Sequence, residues 1–319
     1  MSQLVIASQL DEQFNEVIRQ RLERMLPGAR LISVPTGVPS DLPPQVSVLL
    51  ARPINVRGYQ APDTAPPGWP YGLKWIQVVS SGIDFYPDWF FNGPPVSTSR
   101  GSAAENIAEF ALAAIFAAAK HLPDIWVQDS QWNFTALTPV KGSTLGILGF
   151  GAIGRSLAIK AHALGIKVIA LRESQTPFGV AGVEVARDVN DLFARSDHLV
   201  LAAPLTASTR HIVDRAVLAQ ARQGLHLINV ARGGLLDQEA LLEALDTGRI
   251  GLASLDVTEP EPLPDGHRLY VHPKVRLSPH TSAISSNSHH EIADSFLANL
   301  ERYLKGSALE NQANMNRGN

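Results

Sequence analysis

The chain has 319 residues, 45% of them apolar and 18% charged, enough nonpolar side chain for one large or two medium folded domains and too much for a disordered chain. A net charge of −3 gives no electrostatic footing for nucleic acid. Cysteine is absent, which excludes disulfides, thiolate catalysis and cysteine-ligated zinc.

The N-terminus, MSQLVIASQLDEQF, has no basic start, and acids closely follow its short apolar run. It does not read as a secretory signal, and the expected compartment is the cytoplasm. Residues 4–8 (LVIAS) read as a buried strand and 11–25 as a helix. Further apolar runs stand at 46–50 (VSVLL) and 75–79 (WIQVV). Prolines are frequent between Pro35 and Pro70, which predicts short elements joined by long loops. Trp89, Phe90 and Trp132 suit a substrate site and a core equally. The Ala-rich stretch 102–120 predicts a helix apolar on most sides, of the kind buried in a core or an interface. It includes the longest apolar run, 107–119, which Glu109 interrupts and which is too short to span a bilayer.

A regular rhythm begins at Ser143. Strand-like runs fall at 144–148, 167–171, 198–202, 225–230, 250–255 and 275–278. Helical stretches such as 152–164 and 237–247 lie between most of them. Short apolar strands alternating with helices predict βαβ units and a parallel sheet. An amphipathic stretch at 291–304 predicts a closing helix.

Gly149, Gly151 and Gly154 form G-x-G-x-x-G directly after a strand and directly before a helix. In that setting the first glycine permits a tight turn, the second lets a pyrophosphate approach the backbone, and the third lets helix and strand pack closely. The amides of the helix start, at Ala152, Ile153 and Gly154, would then face the phosphates. At the end of the next strand stands Leu171-Arg172-Glu173-Ser174. NAD-binding folds usually carry an acid there for the ribose. Arg172, helped by Ser174, instead favours the 2′-phosphate of NADP, whereas Glu173 would serve NAD.

Three further segments end strands: NVARGGLLDQEAL, SLDVTEPEPLP and LSPHTSA. They supply Arg232, Glu261 and His280, a set suited to reducing a 2-keto acid. An arginine holds the carboxylate and polarises the keto oxygen, and a histidine gives the proton. A carboxylate beside the histidine favours imidazolium and fixes the ring. Among ten histidines, His289-His290 is the one pair that invites a metal reading. Adjacent residues on a helix do not face one site, so no metal is expected. His211, His267 and His272 read as structural or solvated.

From about Leu73 to about Gly306 these motifs resemble the D-isomer-specific 2-hydroxyacid dehydrogenases. The resemblance implies a Rossmann-type doubly wound parallel sheet, residues 100–285, inserted into a flavodoxin-like smaller domain, residues 1–99 plus 286–319. The active site would lie in the cleft between them and close by a hinge. It implies that Arg232 binds substrate, that His280 is the acid/base with Glu261 its partner, and that Asp256 holds the nicotinamide carboxamide. Pro204 and Thr209 of APLTASTRHIV, with Val230 and Ala231 and with Arg232 and His280 themselves, would also line the cofactor. Ser81, Gly82 and Ile83 fall where main-chain N–H groups receive the substrate carboxylate, although Ala-Gly is more usual than Ser81-Gly82. Glu109 occupies a position usually acidic, with a structural role. NADP with a small acid such as glyoxylate or hydroxypyruvate, and a homodimer through the nucleotide-binding domains, follow as expectations. Two other functions share the resemblance: a cofactor-sensing, corepressor-like protein and a phosphite dehydrogenase. Formate enzymes of this kind carry Gln where Glu261 stands.

Overall fold

The computed structural model describes residues 3–56, 59–132, 134–174, 176–315 and Gly318. The chain divides into two compact units, one running to Ser102 and resuming at Ser286, the other spanning Ala103–Ser285.

The first unit is a five-stranded parallel sheet of β1 (Val5–Ser8), β2 (Arg30–Ser33), β3 (Val46–Ala51), β4 (Trp75–Val78) and β5 (Val96–Thr98). The strand order is β2-β1-β3-β4-β5, the flavodoxin-like order. Helix α1 (Glu12–Met25) starts where Asp11 accepts the Phe14 amide at 3.0 Å, an N-cap. The C-terminal helix of the chain spans Ser288–Leu304 and buries Ala293, Phe296 and Leu300 at helical spacing. Phe296 stacks on Trp75 at 5.5 Å, so the end of the chain completes the core begun by its start. Trp89 and Phe90 are buried in this unit's other core cluster. His289 of the closing helix packs its ring on Phe14, and the His290 ring lies 3.3 Å from the Arg21 guanidinium.

The second unit opens with α2 (Ala104–Ala119). Ile107, Ala108, Ala111, Leu112 and Ile115 bury one face against Leu157, Ala158 and Ala161 of the next helix. Alanine on both sides permits that close packing. Glu109 and Glu105 ion-pair with Lys160 at 3.4 and 2.7 Å, which gives Glu109 a structural setting. The rest of the unit is a seven-stranded parallel sheet. Its strands are β6 (Thr144–Leu148), β7 (Lys167–Leu171), β8 (Val183–Val185), β9 (His198–Leu201), β10 (Leu225–Asn229), β11 (Ile250–Leu255) and β12 (Val275–Leu277). The helices between them are α3 (Ala152–Ala163), α4 (Val189–Arg195), α5 (Arg215–Ala219), α6 (Gln238–Asp246) and α7 (Arg268–Val271), and the closing helix of the first unit is α8. The order β12-β11-β10-β9-β6-β7-β8 is the Rossmann order extended by one strand. The order reverses between β6 and β9, where such sheets place their ligand.

β2, β5 and β8, absent from the sequence reading, are short strands at sheet edges. β8 is largely exposed and reads VEV, so no apolar run marks it. The expected boundaries elsewhere shift by three residues or fewer, because capping residues such as Asp11 and Asp237 stand just outside their helices.

Strand register in this sheet creates a feature that no local motif announces. His198 of β9 and His226 of β10 place their Nδ1 atoms 3.2 Å apart, and His226 Nε2 lies 2.9 Å from Ser254 Oγ of β11. One ring must donate and the other accept, so the accepting ring has to be neutral and the two cannot both be charged. His226 is buried. Burial, and then the neighbouring His198, push its imidazole down to about 3. Burial lowers His198 too, against the pull of Asp197, whose charge Arg222 shares at 2.6 Å. An unfolded histidine titrates near 6.5, so this contribution to stability is complete above that pH and drains away as pH falls toward 3. At pH 5 His226 alone should remove about 2 kcal/mol relative to neutral pH. Urea unfolding at pH 7 and pH 5 checks this: His226→Gln should lose less stability between the two than the parent. An equal loss would contradict it.

Candidate active site

A tight backbone approach lies at the switch point. Gly149 follows β6 at φ +95°, and a Cβ there would lie 2.4 Å from the Ala203 amide nitrogen beyond β9. Only glycine tolerates both the angle and the contact. Its amide donates to the Leu171 carbonyl at 2.8 Å, tying the turn to the end of β7. A Cβ at Gly154 would strike the Gly149 carbonyl at 2.7 Å, whereas one at Gly151 would meet nothing within 4 Å. Two of the three glycines therefore close the turn, and the third keeps the space over it clear. α3 begins at Ala152 without a side-chain cap, so the amides of its first turn, through Gly154, remain for a ligand. A cradle of this shape with a helix N-terminus behind it fits a dinucleotide pyrophosphate.

Arg172 lies beside this turn. Its Nη1 is 3.5 Å from the Phe150 carbonyl. Nη2 donates to the carbonyls of Thr176 and Pro177, the latter at 2.9 Å. The guanidinium sits 5.0 Å over the Phe178 ring, which itself packs on Phe150 at 4.5 Å. Arg172 Nε is buried and has no acceptor among the described residues. Ser174 Oγ contacts Thr176 Oγ1 at 3.2 Å, and Glu173 is exposed. Across the switch point, Thr209 Oγ1 donates to the Pro204 carbonyl and receives the Thr206 amide, both at 2.7 Å. Val230 and Ala231 leave the end of β10, where Asn229 Oδ1 accepts the Ala231 amide at 3.1 Å.

The remaining groups converge at the ends of β10, β11 and β12. His280 Nδ1 is 2.8 Å from Glu261 Oε2, and Glu261 Oε1 accepts the Thr258 amide at 3.1 Å. The carboxylate is thus fixed by its own loop while it fixes the ring. His280 stands at φ +52°, a left-handed conformation, with its amide bonded to the carbonyls of Asp256 at 2.9 Å and Ser278 at 3.0 Å. Those bonds hold the residue in a backbone region that side chains disfavour.

Asp256 is buried. It receives Ser278 Oγ at 2.6 Å, the Thr281 amide at 2.9 Å and the Ser282 amide at 3.0 Å. Burial opposes its charge, but these donors, with the Ser282 side chain, outweigh burial and hold the carboxyl below its ordinary range. The three bonds fill most of a carboxylate's acceptor sites, so in this structure Asp256 organises the 278–282 turn that carries His280.

Arg232 caps a short 3-10 turn, Gly233–Leu235. Its Nη1 donates to the Ala231 carbonyl at 2.7 Å, and its own carbonyl accepts Asn229 Nδ2 at 2.9 Å. A Cβ on Gly233 would lie 2.1 Å from the Thr258 carbonyl carbon, so the Arg232 turn presses directly on the loop that carries Glu261. Two side chains outside the sequence reading clamp the same loop. Gln238 exchanges hydrogen bonds with the Glu259 main chain at 2.6 and 3.0 Å. Arg210 forks onto the Glu259 carboxylate at 2.8 and 3.0 Å and holds it below its ordinary range. The Gly-Gly pair after Arg232 is the local signal of that close approach.

Ser81, Gly82 and Ile83 belong to the first unit, in the loop after β4, with Ser81 exposed and the other two buried. Trp132 is exposed in the second unit. Among the described residues no cluster of three or more His, Asp or Glu is placed to hold a metal, and no helix is long and apolar enough to cross a membrane.

A Rossmann sheet with a glycine cradle at its switch point and a carboxylate-fixed histidine at neighbouring strand ends defines a nicotinamide-dependent oxidoreductase. Residues 112–282 match the sequence profile of the D-isomer specific 2-hydroxyacid dehydrogenase NAD binding domain. The chain is 36% identical over 206 residues to hydroxypyruvate reductase of Thermotoga maritima, covering 63% of this chain and 67% of that one. It is 34% identical over 227 residues to D-3-phosphoglycerate dehydrogenase of Methanocaldococcus jannaschii, covering 69% of this chain but 43% of that longer one. A D-isomer specific 2-hydroxyacid dehydrogenase from Xanthobacter autotrophicus Py2, solved with NADPH and MES, superposes with a TM-score of 0.81 at 25% identity over the whole of both chains. The chain belongs to the D-isomer specific 2-hydroxyacid dehydrogenase family, oxidoreductases that act on CH–OH groups.

Proposed function

We propose that this chain reduces a small 2-keto acid, of the size of glyoxylate or hydroxypyruvate, to its D-2-hydroxy acid with NADPH. The observation that carries this reading is the 2.8 Å contact of His280 with Glu261 at the strand ends beside the glycine cradle. With Nδ1 committed to the carboxylate, Nε2 is the His280 nitrogen that would hand a proton to the keto oxygen. Glu261, pinned by the Thr258 amide, keeps the ring from turning. Arg232 supplies fixed donors and a permanent charge to the substrate carboxylate and polarises the carbonyl. With its pyrophosphate in the Gly149–Gly154 cradle, the reduced dinucleotide would supply the hydride. The hydroxypyruvate reductase of T. maritima supports the substrate class.

The preference for NADPH rests on Arg172. A buried Nε without an acceptor, beside the turn that fits the pyrophosphate, is a donor in want of an anion. Phe178 under the guanidinium orients it. Charge-assisted hydrogen bonds contribute about 1.5–3 kcal/mol each, so Arg172→Ala should lower the NADPH-over-NADH preference in kcat/KM by about 10–100-fold. An unchanged ratio would remove Arg172 as the reader of the 2′-phosphate, and a parent faster with NADH than with NADPH would move ribose recognition to Glu173.

The second unit also carries a surface suited to a second copy of the chain. After α2, Trp126, Val127, Trp132, Phe134 and Leu137 are all exposed within one short segment. Such a concentration of large apolar side chains on a water-facing surface marks an interaction site. A homodimer through this unit would cover it, which light scattering would register as a mass near twice 34.4 kDa. A monomeric mass would contradict it.

A further inference from the structure

We infer that Ser80, held by Tyr86, is a positioning residue that aims the main-chain amides of the 81–83 loop at the substrate carboxylate; this rests on the reading of that loop as the carboxylate receiver. Ser80 Oγ donates to the Gly82 carbonyl at 2.7 Å and lies 3.2 Å from the Tyr86 hydroxyl. A serine has one hydroxyl proton, and the carbonyl can only accept it, so the phenol supplies the proton of the second contact. Tyr86 is fit for that duty. It is buried, stacked on Phe90 at 4.9 Å and edge-on to Phe91 at 6.3 Å, and burial pushes its phenol well up, so it stays protonated.

The consequence follows from peptide geometry. In a trans peptide the C=O and the following N–H point in opposite directions. Ser80 draws the Gly82 carbonyl toward itself, which turns the Ile83 N–H away from Ser80. The Ile83 carbonyl is fixed in turn by the Tyr86 amide at 3.1 Å, and the Ser80 carbonyl by the Ser99 amide at 3.1 Å. Gly82 and Ile83 are both buried, yet among the described residues no group accepts from either amide. Buried N–H groups are almost always paired, so two adjacent unpaired ones, on a loop fixed from three sides, are suited to an external anion. Because Ser80 and Tyr86 touch neither cofactor nor substrate in this account, their effect is confined to how well those amides are aimed.

The test compares the parent protein with Ser80→Ala and Ser80→Thr in two measurements. The first is KM and kcat for glyoxylate at saturating NADPH, alongside the NADPH dissociation constant. Loss of one aiming hydrogen bond should raise KM about tenfold in Ser80→Ala, with kcat and NADPH affinity within about threefold of the parent. Ser80→Thr, which keeps the hydroxyl, should stay within about threefold on every parameter. The second is hydrogen exchange of the 80–86 segment, which should speed up in Ser80→Ala and not in Ser80→Thr. An unchanged KM in Ser80→Ala overturns the inference. So does a KM rise matched by falls in kcat and NADPH affinity, the mark of general damage. If the parent turns over no 2-keto acid, the functional reading fails on its own. Exchange then decides the loop: unchanged rates in Ser80→Ala overturn the inference, and faster rates sustain it.

Discussion

Replacing His280 by glutamine should lower kcat by about 10²–10⁴-fold, the usual contribution of a positioned general acid, while NADPH affinity changes little. The reason lies in what the residue touches. One ring nitrogen is bound to Glu261 at 2.8 Å, while Glu261 is also held by the Thr258 amide and the His280 backbone by Asp256 and Ser278, supports that remain when the ring is replaced. Glutamine keeps a polar group of similar reach and loses the transferable proton. Single-turnover reduction checks the effect on chemistry, and NADPH fluorescence titration checks binding. A Gln variant with near-parental turnover would remove His280 from the proton path. Glu261→Gln should be milder, because the amide still accepts the Thr258 amide while losing the charge beside the ring.

Replacing Arg232 should chiefly damage substrate use. A guanidinium that forks onto a carboxylate forms two charge-assisted bonds of about 1.5–3 kcal/mol each, so kcat/KM for the keto acid should fall by about 10²–10⁴-fold in Arg232→Met. Lysine should not rescue it, since a point charge on a flexible stem does not reproduce the planar fork. The glycine pair beyond Arg232 presses on the Glu261 loop, so the variant's fold must be checked by its unfolding midpoint. Normal stability and NADPH affinity with a collapsed kcat/KM is the expected pattern. Parental kcat/KM would show that the carboxylate is held elsewhere.

The parts of this molecule legible in the sequence are those written in short-range code. Gly149, Gly151 and Gly154 announce a strand–turn–helix because their spacing alone marks the turn, although the approach of Ala203 to Gly149 is tertiary. The strands of the second unit other than β8 are legible as apolar runs, because the interior of a parallel sheet is buried on both faces. β2, β5 and β8 are not, because an edge strand needs neither length nor a continuous apolar face. Motif likeness singled out His280 and Glu261 as partners, but nothing in the residues says that the Thr258 amide holds the other carboxylate oxygen. The clamp of Gln238 on Glu259 and the meeting of His198 with His226 depend on loop approach and strand register, which join residues 21 and 28 positions apart. Asp256 is the sharpest contrast. Its resemblance points to the cofactor, while the hydrogen bonds its carboxylate receives from Ser278, Thr281 and Ser282 come from the turn that carries His280.

The most direct test of the central claim is cofactor oxidation by the purified protein, NADPH against NADH, with glyoxylate, hydroxypyruvate, pyruvate and phenylpyruvate in turn. The account predicts turnover of the smaller acids, faster with NADPH than with NADH, and D-configuration wherever the product is chiral. Binding of cofactor with no oxidation by any of the four acids would contradict it.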